Sequence, residues 1–391
     1  MVFVQGARQT GKSTLVRHMR GAEARPYFTL DDAATLAAAE GDPTGFVSGL
    51  GEAVVIDEVQ RAPGLALAIK AAVDRGRRPG RFLLTGSANA LVLPKLAEAL
   101  AGRIEIHTLW PLSQGELEGR RETFLDAVFS GHFRVAGGGE SEWPGLVERM
   151  GRGGYPEMLS RSSEERRRAW FGSYVTSIVQ RDVRDITNIR DVSDLPRLLA
   201  LVGTRAASLL DYADIARGTG IPQTTVKRHM ALLEATFLVQ TLPAWFTNIG
   251  KRLVKAPKML INDTGLLMYL LGTGTERLRE DRTLGGSMLE NFVAMELFKQ
   301  SGWSKVQPKL HHFRTHGGEE VDLVLEDREG RIVGIEVKAS ASVNGGTFRG
   351  LQALAQAAGN KFVRGVVLYT GGAAVSFGEK LVAAPVDALW G

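Results

Sequence analysis

The chain has 391 residues, 44% hydrophobic and 23% charged, enough for two or three domains that each bury a core. It has no cysteine, which excludes disulfides and thiolate metal sites, no apolar run near the ~18 residues of a membrane span, and no signal peptide pattern, so a cytoplasmic protein without a membrane partner is expected. A formal charge of +5 leans toward a polyanionic partner such as DNA.

The first ~115 residues alternate strand and helix patterns. Val2-Phe3-Val4 reads as a buried strand, and Ser13 to Arg20 as a helix with Leu15, Val16 and Met19 on one face. Between them Gly6-Ala7-Arg8-Gln9-Thr10-Gly11-Lys12-Ser13, followed by Thr14, fits G-x-x-x-x-G-K-[ST] at every fixed position. Such a loop is an anion cradle, because glycines let the backbone wrap close and N–H groups point at phosphate oxygens. Lys12 is placed to reach the β- and γ-phosphates of ATP, and the Ser13 hydroxyl to ligate Mg²⁺. Tyr27 to Leu30 is a second strand, with an alanine-rich helix from Ala33. Ala53-Val54-Val55-Ile56 is a third, closed by Asp57 and Glu58. Asp57 is expected to hold Mg²⁺ through water, and Glu58 to polarise the attacking water.

Arg81 to Ser87 is the next strand, and Ser87 and Asn89 at its carboxyl end could sense the γ-phosphate or place the water. The alternative there is a simple turn. Gly102-Arg103 precedes a fifth strand, Ile104 to Leu109. Arg103 is a candidate to stabilise transition-state charge, in cis or across a subunit boundary, with a solvated surface arginine as the alternative. Arg75, Arg77, Arg78 and Arg81 fall on the sheet rim opposite the nucleotide.

Beyond Pro111 the strand pattern stops. Glu116 to Phe129 and Glu164 to Ile186 carry helical spacing, a lid and connector. Leu210 to Ala216 and Pro222 to Leu233 are two helices around Gly218 and Gly220, followed by strands at Phe237 to Gln240 and Met259 to Ile261. That order outlines a winged helix-turn-helix. Thr224, Thr225, Lys227 and Arg228 open its recognition helix, while Lys251, Arg252, Lys255 and Lys258 populate the wing, a cation density suited to DNA phosphates. Winged helices also serve as protein contacts.

Gly318 to Leu325 reads as a strand, Asp327 to Arg331 as a turn, and Ile332 to Lys338 as the hairpin partner. Asp322, Glu336 and Lys338 then meet on adjacent strands, with Glu336 and Lys338 on one face. Glu290, on a helix from Met288 to Gln300, adds a third carboxylate. Such a set suits a second divalent metal on Glu290, Asp322 and Glu336, with Lys338 activating water or neutralising a developing phosphorane. The alternative is a surface hairpin with a cross-strand ion pair.

The pieces GARQTGKSTL, VVIDEVQ, LLTGSAN, GRIEIHTLWPLSQGEL, GGYPE, SIVQRDV, INDTGLL and GEEVDLVLE…GIEVKAS run from Gly6 to Ser340. In that order they resemble the prokaryotic AAA-type ATPases with a C-terminal domain of unknown function and a PD-(D/E)xK nuclease-like core. The resemblance implies an α/β chain with a P-loop AAA-type parallel-sheet core over 1–115, a helical lid and connector over 116–200, a winged helix over 201–262 and a nuclease-like α/β domain over 263–391. It further implies ATP hydrolysis with Mg²⁺ in a homo-oligomeric ring or hexamer, with Arg103 matching an arginine-finger element by position. The company of PD-(D/E)xK resolvases implies branched or Holliday-junction DNA as substrate. Members generally carry a few tens of residues before the loop that help hold adenine, so either the start lies upstream of Met1 or the adenine grip is looser. Two functions follow: an ATPase that remodels DNA with metal-dependent cleavage, or an ATP-gated DNA- or protein-binding switch that does not cut.

Overall fold

Val2-Phe3-Val4 and Val54-Val55-Ile56 are unbroken apolar runs, the pattern of strands covered on both faces, and both are strands in the computed structural model. The structure describes residues 1–19, 25–87, 100–131, 133, 142–182, 193–248 and 255–390, with the side chains of 181 and 182 outside that description. These fall into two units: Met1–Trp110 with Ser173–Pro196 and Arg228–Leu238, and Pro111–Gly172 with Arg197–Lys227 and Val239–Gly391.

The first unit is built on a parallel sheet of β1 (Val2–Gln5), β2 (Tyr27–Thr29), β3 (Val54–Asp57), β4 (Phe82–Gly86) and β5 (Glu105–Thr108), in the order β2-β3-β4-β1-β5. Alternation sends Phe3, Ile56 and Leu84 to one face, against Leu65 and Ile69 of the helix Leu65–Arg75. Val4, Val55 and Leu83 point to the other face, against Val16 of the helix Lys12–His18. Each such fully buried side chain contributes about 1.5–3 kcal/mol. Because all five strands run the same way, the segments after Gln5, Asp57 and Gly86 share one edge of the sheet. The Tyr174 hydroxyl donates to Arg8 O at 3.3 Å, which ties the later part of the unit to the loop after β1.

The second unit holds a mixed sheet of β8 (Lys309–Arg314), β9 (Glu320–Glu326), β10 (Ile332–Lys338), β11 (Phe362–Tyr369), β12 (Val375–Ser376) and β13 (Leu381–Pro385), ordered β12-β13-β11-β10-β9-β8. β9 and β10 form the expected hairpin, and its turn is fixed by Asp327, whose carboxylate accepts from Glu329 N and Arg331 N. The helix Arg349–Ala358 lays Leu351 and Leu354 on this sheet, where a Cβ at Gly334 would meet Leu351 at 2.6 Å.

A two-stranded ribbon, β6 (Val239–Leu242) with β7 (Lys258–Ile261), is antiparallel. The helix Tyr212–Thr219 is capped by Asp211 and ends at Gly220 with φ 75°, and the helix Gln223–Ala235 follows. The Glu116–Phe129 expectation splits into Gln114–Leu117 and Phe124–Phe129. The long helix stops at Ser177 and gives way to a π-helical turn at Ile178–Asp182.

Several sequence pieces singled out above meet inside this unit. Leu112 N donates to Gly154 O and Gly154 N donates to Asp263, both at 2.7 Å, while Asp263 also caps the helix Thr264–Leu270. A side chain at Gly154 would strike Leu112 O at 2.2 Å, so the approach requires glycine. On the helix Arg282–Ser301, the buried Asn291 accepts from Ile261 N and donates to Ile261 O, each at 2.8 Å. This pair satisfies both polar groups of a buried strand residue. Asn291→Ala leaves them unpaired, and urea denaturation is expected to show a loss of about 2–3 kcal/mol; a change within a few tenths would remove Asn291 from this role.

Candidate functional site

The loop after β1 closes tightly. Gly6 (φ 155°) passes so near Leu109 that a Cβ would sit 2.1 Å from its carbonyl oxygen, and Gly11 takes φ 90° to enter the helix Lys12–His18. The buried Lys12 ammonium donates to Gly6 O at 3.0 Å and Ala7 O at 2.8 Å, so the loop backbone curls around the cation. Thr10 Oγ1 pins the curl by donating to Ala7 O.

At the end of β3, Asp57 collects donors from three elements. Ser13 Oγ donates to Oδ2 at 2.9 Å, the Tyr27 hydroxyl donates to the same oxygen, and Thr85 Oγ1 donates to Oδ1. Burial holds the Tyr27 pKa above its ordinary value, reinforced by Asp57, so this donor stays neutral. Glu58 follows in the left-handed region (φ 59°), a strained conformation for a residue with a Cβ. Its N–H donates to Thr85 Oγ1, and Gln60 Nε2 donates both to the Glu58 carboxylate and to Ser87 Oγ, the latter at 3.0 Å. Gln60 Oε1 is buried without a partner.

The structure therefore brings Gly6, Ala7, Gly11, Lys12, Ser13, Asp57, Glu58 and Ser87 to one edge of the sheet. Arg8 is half-buried, Gln9 is exposed with φ 63°, and Thr14 is exposed on the helix. Asn89 lies outside the described residues. Arg103 requires a correction: it precedes β5 and so sits at the amino edge, opposite the loop, paired to Asp74 through Nε at 2.7 Å and Nη2 at 3.1 Å. No role in its own chain's phosphate site follows from that position. Tyr27, Gln60 and Thr85 were missed, although Gln60 closes the VVIDEVQ piece and Thr85 lies on β4, the strand that leads to Ser87. The hydroxyl and carboxylate at Ser13 and Asp57 are hard oxygen donors, so this edge fits Mg²⁺ with a nucleotide.

The second centre lies in the second unit. Asp322 on β9 and Glu336 on β10 are buried, Lys338 Nζ donates to Glu336 Oε1 at 2.6 Å, and Val337 N donates to Asp322 Oδ2 at 2.9 Å. Glu290 joins from the helix Arg282–Ser301. Sequence reasoning missed its partner: Lys258 Nζ, from β7, donates to Glu290 Oε1 at 2.5 Å and to Asp322 Oδ1 at 3.2 Å. Burial, helped by Asp322, raises the pKa of both Glu290 and Glu336 against the pull of the lysines. For Lys258 and Lys338 burial acts downward, and the surrounding carboxylates outweigh it to raise both.

The expected metal set of Glu290, Asp322 and Glu336 does not fit a divalent ion as it stands. Lys258 holds two of the oxygens, and among the described residues no group of three acidic or histidine side chains is disposed for a metal. Lys258 is also no wing cation, since it is 5% exposed. Of the remaining expected DNA contacts, Thr224, Lys227, Arg228 and Lys255 are exposed and Thr225 is half-buried. Lys251 and Arg252 lie outside the described residues. Among the described residues no helix is long and apolar enough to cross a membrane.

Three family matches cover most of the chain: an AAA domain over residues 1–118, a domain of unknown function (DUF8612) over 144–277, and a second (DUF4143) over 285–389. Two similar relatives are the uncharacterized proteins Mb2031c of Mycobacterium bovis and Rv2008c of Mycobacterium tuberculosis. Each is 32% identical over 348 residues, covering 88% of this chain and 71% of its own. Among solved structures, the Thermotoga maritima RuvB Holliday junction branch migration motor matches at 15% identity and a TM-score of 0.27, over 62% of this chain and 82% of that one. A mutant form of it matches at 14% identity and a TM-score of 0.28, with the same coverage.

Beside the second centre, His312 Nε2 lies 3.1 Å from Ala256 O. Burial and the nearby Lys258 charge push its pKa down to about 4 from an ordinary 6.5. A depressed histidine leaves the fold undisturbed above pH 6.5 and costs stability as the pH falls from 6.5 to 4, with the loss levelling off below that. Relative to His312→Gln, the wild type is expected to lose up to ~3 kcal/mol between pH 7 and pH 4, followed by urea denaturation. A pH-independent difference would assign His312 no titrating role.

Proposed function

The chain belongs to the family of AAA-type P-loop ATPases that carry a C-terminal domain of unknown function, and from that premise we propose that it is a Mg²⁺-dependent ATPase whose hydrolysis governs its hold on DNA. An AAA-type P-loop fold implies nucleotide binding, usually with Mg²⁺. The observation that carries the reading is the contact of Ser13 with Asp57 at 2.9 Å beside the loop-enclosed Lys12 ammonium.

In this reading Lys12 leaves its loop carbonyls to neutralise the β- and γ-phosphates. Glu58, at the same edge, accepts the proton of the attacking water. Gln60 positions the Glu58 carboxylate against Ser87, so that the base and a sensor of the γ-phosphate move together. Bound at Ser13 and Asp57, Mg²⁺ would supply charge neutralisation on the phosphate oxygens. Arg103 acts only across a subunit boundary, in a ring or hexamer, as an arginine finger.

The division into ATPase core, lid, winged helix and nuclease-like domain at 115, 200 and 262 belongs to the same proposal. So do a cytoplasmic location and contact with branched or junction DNA through Thr224, Thr225, Lys227, Arg228 and Lys255. Thr224, Lys227, Arg228 and Lys255 have exposed side chains, as phosphate contact needs. A second reading, an ATP-gated switch that grips DNA or protein without cutting, is favoured by one observation: Lys258 stands among the carboxylates that would hold a cleavage metal.

Lys12→Ala is expected to abolish phosphate release and the heat of ATP binding. Glu58→Gln should keep ATP binding and slow turnover by about 10²–10⁴-fold. Turnover that survives Lys12→Ala overturns the ATPase assignment. For the DNA-facing half, labelled linear and four-way-junction DNA with Mg²⁺ separates the readings: an ATP-dependent gel shift without products supports the switch, products support cleavage, and no shift points to a protein partner.

A further inference from the structure

We infer that Lys258 is the resident cation of the C-terminal carboxylate cluster: its ammonium occupies the place a divalent ion would take, and this centre holds no metal. Lys258 Nζ is 2.5 Å from Glu290 Oε1 and 3.2 Å from Asp322 Oδ1. A Mg²⁺ ion sits ~2.0–2.1 Å from its oxygen ligands, so an ion bound to both oxygens would overlap the ammonium. The other Asp322 oxygen accepts from Val337 N, and Glu336 Oε1 accepts from Lys338. Glu336 Oε2 is the cluster's buried oxygen without a partner, and an ion on it would face the Lys338 ammonium that lies 2.6 Å from its sister oxygen.

The lysine is fixed rather than poised to leave. Its backbone is paired on both sides, to Leu242 of β6 and through a bridge to Leu209, and its side chain is 6% exposed. Withdrawing it would leave Glu290 and Asp322 without their cation, which is costly. Access is not what excludes metal. A cleft of about 680 Å³, lined by Glu290, Asp322, Lys338 and Ser340, opens onto the cluster. Charge points the same way, because an added divalent ion would face the buried Lys258 ammonium, already 2.5 Å from Glu290 Oε1.

Mn²⁺ binding to the full-length chain without nucleotide tests this, read as free Mn²⁺ by electron paramagnetic resonance. Wild type and Asp322→Asn are expected to bind the same number of Mn²⁺ ions. Lys258→Met should gain one ion per chain, and the double variant Lys258→Met with Asp322→Asn should lose it again. Mn²⁺ held by the wild type and released by Asp322→Asn would overturn the inference, as would a folded Lys258→Met that gains nothing. Should Lys258→Met fail to fold, Lys258→Gln takes its place, and the comparison of wild type with Asp322→Asn decides without either. ATP is absent throughout, so failure here leaves the ATPase reading untouched.

Discussion

The nucleotide edge of the first unit depends on the satisfaction of one buried carboxylate. Asp57 ends a strand buried on both faces, where an unpaired charge costs several kcal/mol. Its donors come from the loop helix (Ser13), the strand on one side (Tyr27 on β2) and the strand on the other (Thr85 on β4). Three separate segments are thereby held at fixed distances from one point. The backbone turn at Glu58 starts from that point, and the left-handed geometry aims Glu58 toward Gln60 and Ser87 rather than along the strand axis.

Legibility in the sequence followed the range of each signal. The phosphate loop and the VVIDE run are local patterns, and Gly6 to Gly11 form the expected link between β1 and the helix Lys12–His18. The β9–β10 hairpin was also readable, because Asp327 makes its turn from neighbours within four positions. Lys258 was hidden, since its partners lie 32 and 64 residues away and nothing in a run of four cations distinguishes the buried one. Only the pairing of β7 fixes which way it points.

The role offered for Arg103 within its own chain failed for a different reason. A residue just before a parallel strand sits at the edge opposite a loop that follows one, and that inference needs only strand direction. The expectation of a role in cis rested on order along the chain, which is silent about edges. Tyr27 and Thr85 were overlooked because their strands read as core: hydroxyls at the ends of apolar runs look like termini until the sheet order places them beside Asp57.

The two carboxylate centres solve the burial problem in opposite ways, and the difference separates their chemistry. Ser13, Tyr27 and Thr85 offer Asp57 hydroxyl protons, which occupy lone pairs without cancelling the negative charge. A carboxylate held so keeps its attraction for a cation, and hydroxyl contacts can be exchanged for ion contacts at small cost. Asp322 and Glu290 are held by an ammonium, which fills lone pairs and cancels charge together. Displacing it would bury an unpaired lysine, a loss of several kcal/mol that a weakly held divalent ion does not offset. Carboxylates clustered at the end of a chain therefore do not by themselves forecast metal chemistry. What decides is whether the groups that satisfy them are neutral or charged, and for Asp322 that group is a lysine from a distant strand.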